Sequence, residues 1–358
     1  MLVDHHCHSV VAEELDEAAF AALITESDRP PAAGTSPFDS AIGLAVRRWC
    51  PPLLGLAALV GADAYLEARR AVGADAATAR MLAAAGLTDL LVDTGLTEAR
   101  GRPLLPPAEL AALAGARLHE VVRLESVAAA VRAPAPTWPE AVAEALAEAC
   151  AEAVAVKSVL AYRAGLDIPG GPPDRSEVVR AAGARTDGRI TDPVLLRHLL
   201  WSAVGLGLPI QLHTGFGDPD LRLHRADPAM LVDFVRAVEP DGVPLVLLHG
   251  YPYHRQAAWL AQAFPHVYAD VGLTLSYTGP RAAAVLGEVL ELAPFGKVLF
   301  STDAYGLPEL YPVGAAQFQR ALGTVLDDWR AAGDCTAEDA LQIGAALGHG
   351  NARRLYGI

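Results

Sequence analysis

Short runs of aliphatic residues alternate with longer amphipathic stretches along most of the chain. Eight runs have the length and composition of buried strands: LVDHH (2–6), LLVDT (90–94), EVVRLE (120–125), VAVKSVLA (154–161), PIQLH (209–213), PLVLLH (244–249), VYADVG (267–272) and VLFSTD (298–303). Strands that alternate with helical stretches are typical of βα units and a parallel sheet. The pattern therefore predicts an α/β fold. Eight strands favour a closed (β/α)8 TIM barrel over an open doubly wound sheet, which the count alone leaves possible.

The first two runs are separated by more than eighty residues, far more than an ordinary βα connection needs. Two parts of this segment, PFDSAIGLAVRRW (37–49) and GADAYLEARRAV (61–72), have helical periodicity. We therefore predict a helical insertion at residues 10–85, placed over the barrel mouth as a lid, although simple decoration fits the pattern equally well. The tail GHGNARRLYGI (348–358) is predicted to be a closing helix that takes no part in the chemistry.

Composition agrees with one large domain spanning residues 1–358, because 52% of the residues are hydrophobic and 20% are charged. A formal net charge of −14 argues against a nucleic-acid or anionic-membrane partner, since both require a basic surface. The four cysteines form no CxxC pair, and neither a signal peptide nor a membrane-spanning run is recognisable. We expect a cytoplasmic protein that acts on a small molecule and that can form a homo-oligomer.

Polar residues with metal-binding chemistry fall at the ends of the predicted strands. The set consists of His6, His8, Lys157, His213, His249 and Asp303, with Glu125 after the third run and Asp93 and Asp270 near the ends of the second and seventh. Each residue alone has a structural explanation, such as a hydrogen-bonded histidine or a helix-capping aspartate. Because the carboxyl ends of barrel strands meet at one mouth, the whole set together favours a metal centre.

Imidazoles and a carboxylate suit a divalent ion, with Zn²⁺ the best fit and Mn²⁺, Fe²⁺ or Ni²⁺ also compatible. If His6, His8, His213 and Asp303 hold one ion, the pKa of a bound water falls from ~15.7 toward ~7, which yields hydroxide at neutral pH. Asp303 would then shuttle its proton. His249 would either polarise a substrate carbonyl or bind a second ion.

This arrangement resembles the amidohydrolase superfamily of metal-dependent TIM barrels, with HxH on the first strand, Lys on the fourth, His on the fifth and sixth and Asp on the eighth. The matching blocks are VDHHCH, VKSVLAYRAGL (156–166), QLHTGFGD (211–218), LLHGYPYHR (247–255), FSTDAYGLPE (300–309) and GNARRLY (350–356). They look most like the amidohydrolase-2 branch, especially the amidohydrolase-like half of proteins fused to a glutamine-synthetase-like domain. The 358 residues contain no such second domain, so the resemblance gives no direct argument for a glutamine-linked substrate.

The resemblance implies His6, His8, His213 and Asp303 as ligands, with His249 close by. Lys157 has two interpretations. In binuclear relatives the equivalent lysine is carboxylated and bridges two ions, and burial would favour the neutral amine that this reaction requires. Alternatively, Lys157 forms a buried ion pair, for which Glu125 is a candidate partner. One or two ions therefore remain possible.

Several further residues are candidates for contacting the substrate. Arg163 follows the fourth strand, where a guanidinium suits capture of a carboxylate. The other candidates are Tyr162, Glu125, Tyr251, Tyr253, His254 and Tyr305, and for each of them ordinary packing is an equally good explanation.

Three functions compete at this point. The first is hydrolysis of a C–N bond, in an amide or an amine, by metal-activated water. The second is non-oxidative decarboxylation of an aromatic or enoic acid, in which Asp303 would protonate carbon. The third is a non-catalytic barrel that uses its cleft for binding, and the complete set of metal-binding residues argues against it.

Overall fold

Eight parallel strands form one sheet in the computed structural model, which describes residues 1–186 and 188–358. The strands are β1 (Leu2–Cys7), β2 (Leu87–Asp93), β3 (Arg117–Arg123), β4 (Ala155–Ser158), β5 (Ile210–Thr214), β6 (Leu245–His249), β7 (Val267–Asp270) and β8 (Val298–Leu299). Each strand pairs in parallel with the next one along the chain. All eight predicted strands are therefore present, in the order that a TIM barrel requires.

The barrel closes between β8 and β1 through irregular backbone contacts. The His5 amide donates to the Phe300 carbonyl at 3.4 Å, and the Asp303 amide donates to the His6 carbonyl at 3.1 Å. The last strand is shorter than predicted because the backbone amide of Thr302 donates to the side chain of Asp4 instead of to a neighbouring strand. Asp303 consequently lies in the loop after β8.

Helices cover the outside of the sheet. Within the described ranges they are α1 (Glu17–Ile24), α2 (Ala41–Trp49), α3 (Ala62–Val72), α4 (Ala74–Ala84), α5 (Pro107–Ala114), α6 (Leu124–Ala130), α7 (Trp138–Ala149), α8 (Leu160–Arg163), α9 (Arg175–Ala184), α10 (Pro193–Leu206), α11 (Val232–Val238), α12 (His254–Ala263), α13 (Thr274–Thr278), α14 (Ala282–Leu290), α15 (Leu310–Ala332), α16 (Ala337–Ala345) and α17 (Asn351–Tyr356). A short hairpin pairs Glu98–Ala99 with Arg102–Pro103. Among the described residues, no helix combines the length and apolar character needed to cross a membrane.

At two other places the sequence predicts strand where the structure has a helix. The third strand is predicted to run to residue 125, but α6 already begins at Leu124. Glu125 therefore lies in the first turn of a helix. The fourth strand stops at Ser158, and α8 follows immediately. In both places, apolar residues that continue the strand pattern are equally suited to the buried side of a helix, which periodicity over such short runs does not distinguish.

The helical insertion after β1 is confirmed and consists of α1 to α4. A fully buried ion pair attaches it to the barrel: Arg69 Nε lies 2.7 Å from Glu309 Oε1. The Tyr65 hydroxyl donates to the same oxygen at 2.8 Å. Because Glu309 precedes α15 on the barrel side, these contacts fix α3 relative to the loop that follows β8.

The Glu309→Ala variant should lower the free energy of unfolding by about 3–5 kcal/mol, because it leaves the Arg69 guanidinium buried without its counter-charge. Chemical denaturation measures this loss. The matched control is Arg70→Met, which changes the exposed neighbour of Arg69 and should shift the value by less than about 0.5 kcal/mol. Equal, small effects of the two substitutions would show that the ion pair does not anchor the insertion.

Candidate metal centre and active-site cavity

The Asp303 carboxylate lies among three histidine side chains at the barrel mouth. Its Oδ1 atom is 3.2 Å from His6 Nε2 and 3.5 Å from His8 Nε2. Its Oδ2 atom is 3.3 Å from His249 Nε2. The His213 ring is centred 5.0 Å from the His249 ring. The sequence-predicted histidines and aspartate are thus brought together at one point.

The backbone conformation of His249 and Asp303 orients their side chains. His249 has φ 65° and Asp303 has φ 47°, a left-handed conformation that non-glycine residues adopt rarely and mostly at functional sites. Asp4 stabilises the second of these turns, since it accepts hydrogen bonds from the Thr302 amide at 2.9 Å and the Thr302 hydroxyl at 2.5 Å. Burial raises the pKa of Asp4 to about 8 despite these bonds.

The tautomer of His6 follows from its hydrogen bond to Gln211. Gln211 Oε1 lies 2.7 Å from His6 Nδ1, and an amide oxygen can only accept, so Nδ1 carries the proton and Nε2 presents a lone pair to the centre. The Gln211 amide nitrogen donates to the His5 carbonyl at 2.8 Å and to the Tyr356 hydroxyl at 3.0 Å, which supports this orientation of the amide. Burial, reinforced by the Lys157 charge, lowers the pKa of His6 to about 3 and keeps it neutral.

Tyr356 belongs to α17, the closing helix for which the sequence predicted no part in the chemistry. That expectation stays a prediction, but the helix is in contact with the site, because the Tyr356 hydroxyl contacts Gln211 and lies 3.0 Å from His5 Nδ1. Tyr356 also packs into the apolar cluster inside the barrel. The final helix therefore takes part in the hydrogen-bond network that orients His6.

Asp270, at the end of β7, supports the other side of the centre. It accepts a hydrogen bond from the His249 amide at 3.1 Å, and a carboxylate oxygen lies 3.6 Å from His249 Nδ1. The second oxygen lies 3.1 Å from His5 Nε2. Burial alone would raise the pKa of Asp270, but the interactions with His249 and His5 outweigh it and hold the pKa well below its usual range. Asp270 therefore remains ionised next to two imidazoles.

The side chains present fit a divalent metal ion. His213 Nε2 is buried and makes no hydrogen bond within the described residues, although buried imidazole nitrogens normally have a partner. Together with the Nε2 atoms of His6 and His8, which face the Asp303 carboxylate, it forms a nitrogen and oxygen donor set that Zn²⁺ prefers. The ligand assignment itself stays a prediction.

Lys157 is buried beside this set, with Nζ 3.1 Å from His6 Nε2. Burial lowers the pKa of Lys157 to about 8, which favours the neutral amine more than in an exposed lysine. The prediction that Lys157 forms an ion pair with Glu125 is wrong. Glu125 instead accepts hydrogen bonds from the Ser158 hydroxyl at 2.6 Å and the Val159 amide at 3.0 Å.

Asp93 is a possible ligand that sequence reasoning noted only as lying near a strand end. Ligand atoms of His6, His8 and Asp93 lie within 4.8 Å of one another. Arg123 competes for the same carboxylate, because its Nη2 atom is 2.6 Å from Asp93 Oδ2. Burial raises the pKa of Asp93, but the charges of Arg123, His8 and Lys157 outweigh it and hold the pKa well below its usual range.

A cavity of about 240 Å³ opens above the centre. Its lining includes five of the predicted metal or catalytic residues and three of the predicted substrate residues: His8, Lys157, His213, His249, Asp303, Tyr162, Arg163 and Tyr305. The Tyr162 ring lies against His213, with ring centres 4.5 Å apart. The structure therefore brings Arg163 and Tyr162 to the cavity in which the chemistry would occur.

The remaining predicted substrate residues are not brought to this cavity. Glu125 accepts hydrogen bonds from Ser158 and Val159 and is not among the residues that line the cavity. Tyr251 stacks on His254 at 5.5 Å, and His254 Nε2 lies 2.6 Å from Glu288 on α14. His254 is the first residue of α12, and neither Tyr251 nor His254 is among the residues that line the cavity. Tyr253 is likewise absent from the cavity lining.

The insertion contributes Thr25 and Glu26 to the cavity, which the sequence did not reveal. The Tyr277 hydroxyl accepts from the Glu26 amide at 2.7 Å, and Arg100 Nη2 donates to the Ser27 carbonyl at 2.7 Å. Burial, together with the Asp303 charge, raises the pKa of Glu26 to about 8. Glu26 follows a short helix and shows no periodicity or motif, so no local signal identified it.

Comparison with known proteins identifies the family. The amidohydrolase model of the amidohydrolase-2 branch matches residues 3–358. The chain belongs to this family. Protein fluG of Emericella nidulans is 36% identical over 221 residues, which make up 57% of this chain and 25% of that protein. This chain therefore matches about a quarter of the length of this curated relative.

Solved structures show the same fold. A candidate metal-dependent hydrolase from Lactobacillus casei superposes with a TM-score of 0.85 at 27% identity, covering 99% of this chain and 95% of its own. Uronate isomerase from Thermotoga maritima superposes with a TM-score of 0.64 at 13% identity, covering 99% and 94%, which shows the fold alone. Family and fold together support an enzyme that uses a divalent metal.

The Gln211→Leu variant should bind the metal about 10–100-fold more weakly, because His6 loses the acceptor that fixes its tautomer and ring orientation. Competition with a chromophoric chelator measures the affinity. Gln317→Leu provides the control, since Gln317 is also buried but contacts Trp49 of the insertion. An equal loss of affinity in both variants would point to general destabilisation instead.

Proposed function

We propose that this amidohydrolase hydrolyses a C–N bond, in an amide or an amine, of a small molecule that carries a carboxylate. The observation that carries the proposal is the Asp303 carboxylate, which lies within 3.5 Å of three imidazole nitrogens and lines the cavity. A carboxylate in this position can exchange a proton with a water molecule and with a substrate. Arg163 at the same cavity supplies a cation for the substrate carboxylate.

His6, His8, His213 and Asp303 would hold the ion, with zinc the best fit to this donor set. A divalent ion held there supplies a Lewis acid that lowers the pKa of water from ~15.7 toward ~7 and polarises a carbonyl group. Lys157 and Asp93 lie beside these ligands and adjust the local charge.

Three side chains and one supporting carboxylate carry out the remaining steps. Asp303 accepts the proton of the attacking water and delivers it to the leaving nitrogen as the C–N bond breaks. His249 polarises the substrate carbonyl, and the Asp270 carboxylate near its Nδ1 atom stabilises positive charge on the ring. The Tyr162 ring, packed on His213, covers one side of the cavity and limits the access of bulk water.

Non-oxidative decarboxylation is the second candidate. Four arginines line the cavity, Arg100, Arg123, Arg163 and Arg189, and such a lining admits an acid as readily as an amide bearing a carboxylate. In this reaction Asp303 would protonate the carbon from which carbon dioxide leaves. The same residues would therefore be needed, and the products distinguish the two reactions.

The Asp303→Asn variant should lose about 10²–10⁴-fold in kcat on its best substrate, since asparagine cannot transfer the proton. Metal content, measured by elemental analysis, should stay near the wild-type value, because the amide oxygen remains a donor. Assays should follow both amine release and carbon dioxide release from a panel of amides and carboxylic acids. Carbon dioxide without amine would replace hydrolysis by decarboxylation, and full activity of the variant would exclude Asp303 as the proton carrier.

Purified without chelator, the protein should contain one tightly held divalent ion per chain, whether or not bicarbonate is present. The physical reason is that His6, His8, His213 and Asp303 supply four donors, which is the number that one zinc ion takes, whereas a second ion would need a carboxylated Lys157 as a bridge. Elemental analysis measures the stoichiometry. Two ions, increasing with bicarbonate, would instead indicate a carboxylated Lys157, and no metal under any condition would support a non-catalytic binding barrel.

A further inference from the structure

A second cavity, of about 310 Å³, adjoins the active-site cavity. It is lined by Ala161, Tyr162, Arg163, Ala164, Gly165, Asp220, Arg222 and Arg225. Tyr162 and Arg163 line both cavities, so they form the wall between the two. We call the second one the arginine pocket, defined by Arg163, Arg222 and Arg225.

The arginine pocket holds positive charge that the described residues do not neutralise. Its one acidic residue, Asp220, accepts a hydrogen bond from Arg189 at 2.9 Å. Within residues 1–186 and 188–358, the guanidinium groups of Arg163, Arg222 and Arg225 form neither an ion pair nor a hydrogen bond, and Arg163 Nε is buried. A buried donor without an acceptor is costly, so this pocket is suited to a bound anion. The chain as a whole has a formal net charge of −14, which makes the local excess of cations notable.

Backbone contacts build the pocket before any ligand arrives. The Leu166 amide donates to the Arg225 carbonyl at 2.8 Å, and the Arg225 amide donates to the Arg222 carbonyl at 2.7 Å. Gly165 has φ 85°, and a Cβ atom at this position would lie 2.9 Å from Arg225 Nε. Glycine therefore allows the Arg225 side chain to lie against the loop that follows Arg163.

The pKa of Arg163 reflects the burial of its guanidinium and a cation in the neighbouring active-site cavity. Burial lowers it, and the charge of Arg189 lowers it further. An anion between the guanidinium groups would relieve both effects, because it would solvate the buried group and compensate the repulsion.

We propose that the arginine pocket binds an oxyanion group of the substrate, a carboxylate or a phosphoryl group, away from the bond that reacts. The planar, forked donors of arginine match both groups. The statement that this anion belongs to a substrate rests on the proposed function, whereas anion binding itself does not. The substrate would then extend from the Asp303 centre, past Tyr162, to the arginine pocket.

Isothermal titration calorimetry with two probes, inorganic phosphate and glutarate, tests the proposal on the purified protein. At least one probe should bind, and Arg222→Met and Arg225→Met should each weaken that binding about tenfold or more. Arg222 is exposed, so its variant should fold normally even if Arg225→Met does not. Arg320→Met changes an exposed arginine on α15 and should leave the affinity unchanged.

Phosphate binding alone would assign a phosphoryl group, and glutarate binding alone would assign a carboxylate. Failure of both probes to bind in the millimolar range would overturn the proposal. So would binding that Arg222→Met and Arg225→Met leave intact, because that anion would lie at the metal centre or elsewhere. Since calorimetry needs no turnover, an anion site in a protein without hydrolytic activity would contradict the proposed reaction and leave the arginine pocket standing.

Discussion

The position of the Asp303 carboxylate is the constraint on which the rest of the site depends. A left-handed backbone at a non-glycine residue costs on the order of 1–3 kcal/mol and persists only where surrounding contacts enforce it. Here Asp4 enforces it through the amide and hydroxyl of Thr302. Asp4 and His6 lie on β1, and His8 follows its last residue directly, so one segment both supplies two candidate ligands and holds another, Asp303, in place.

Strand positions in this fold were predictable because buried parallel strands leave continuous aliphatic runs, and the residues that end them share one mouth. His6, His213 and His249 could therefore be grouped before their contacts were known. Glu26 and Tyr356 could not, since their roles depend on long-range packing. Glu26 reaches the cavity because Tyr277 and Arg100 fix its segment, and Tyr356 reaches Gln211 across 145 positions of sequence.

Net charge and local charge lead to different conclusions in this protein. A total of −14 predicts that polyanions are not partners, yet arginines are concentrated around the cavity. Arg123 is neutralised by Asp93, and Arg189 by Asp220, whereas Arg163 makes no ion pair within the described ranges. The electrostatic field at a site depends on which charges are paired within a few ångströms. The net charge of the whole chain does not contain this information.

The loop after β8 connects the chemistry to the insertion. It contains Asp303 and ends at Glu309, which binds Arg69 of α3. Between them, the Gly306 amide donates to the Ser9 carbonyl at 3.0 Å, and the Gly306 carbonyl accepts from the Val11 amide at 2.9 Å. A shift of the insertion would therefore pull on the segment that positions the proton carrier. Because this segment is short and bonded along its length, the insertion constrains the geometry of Asp303 as well as contributing Glu26 to the cavity.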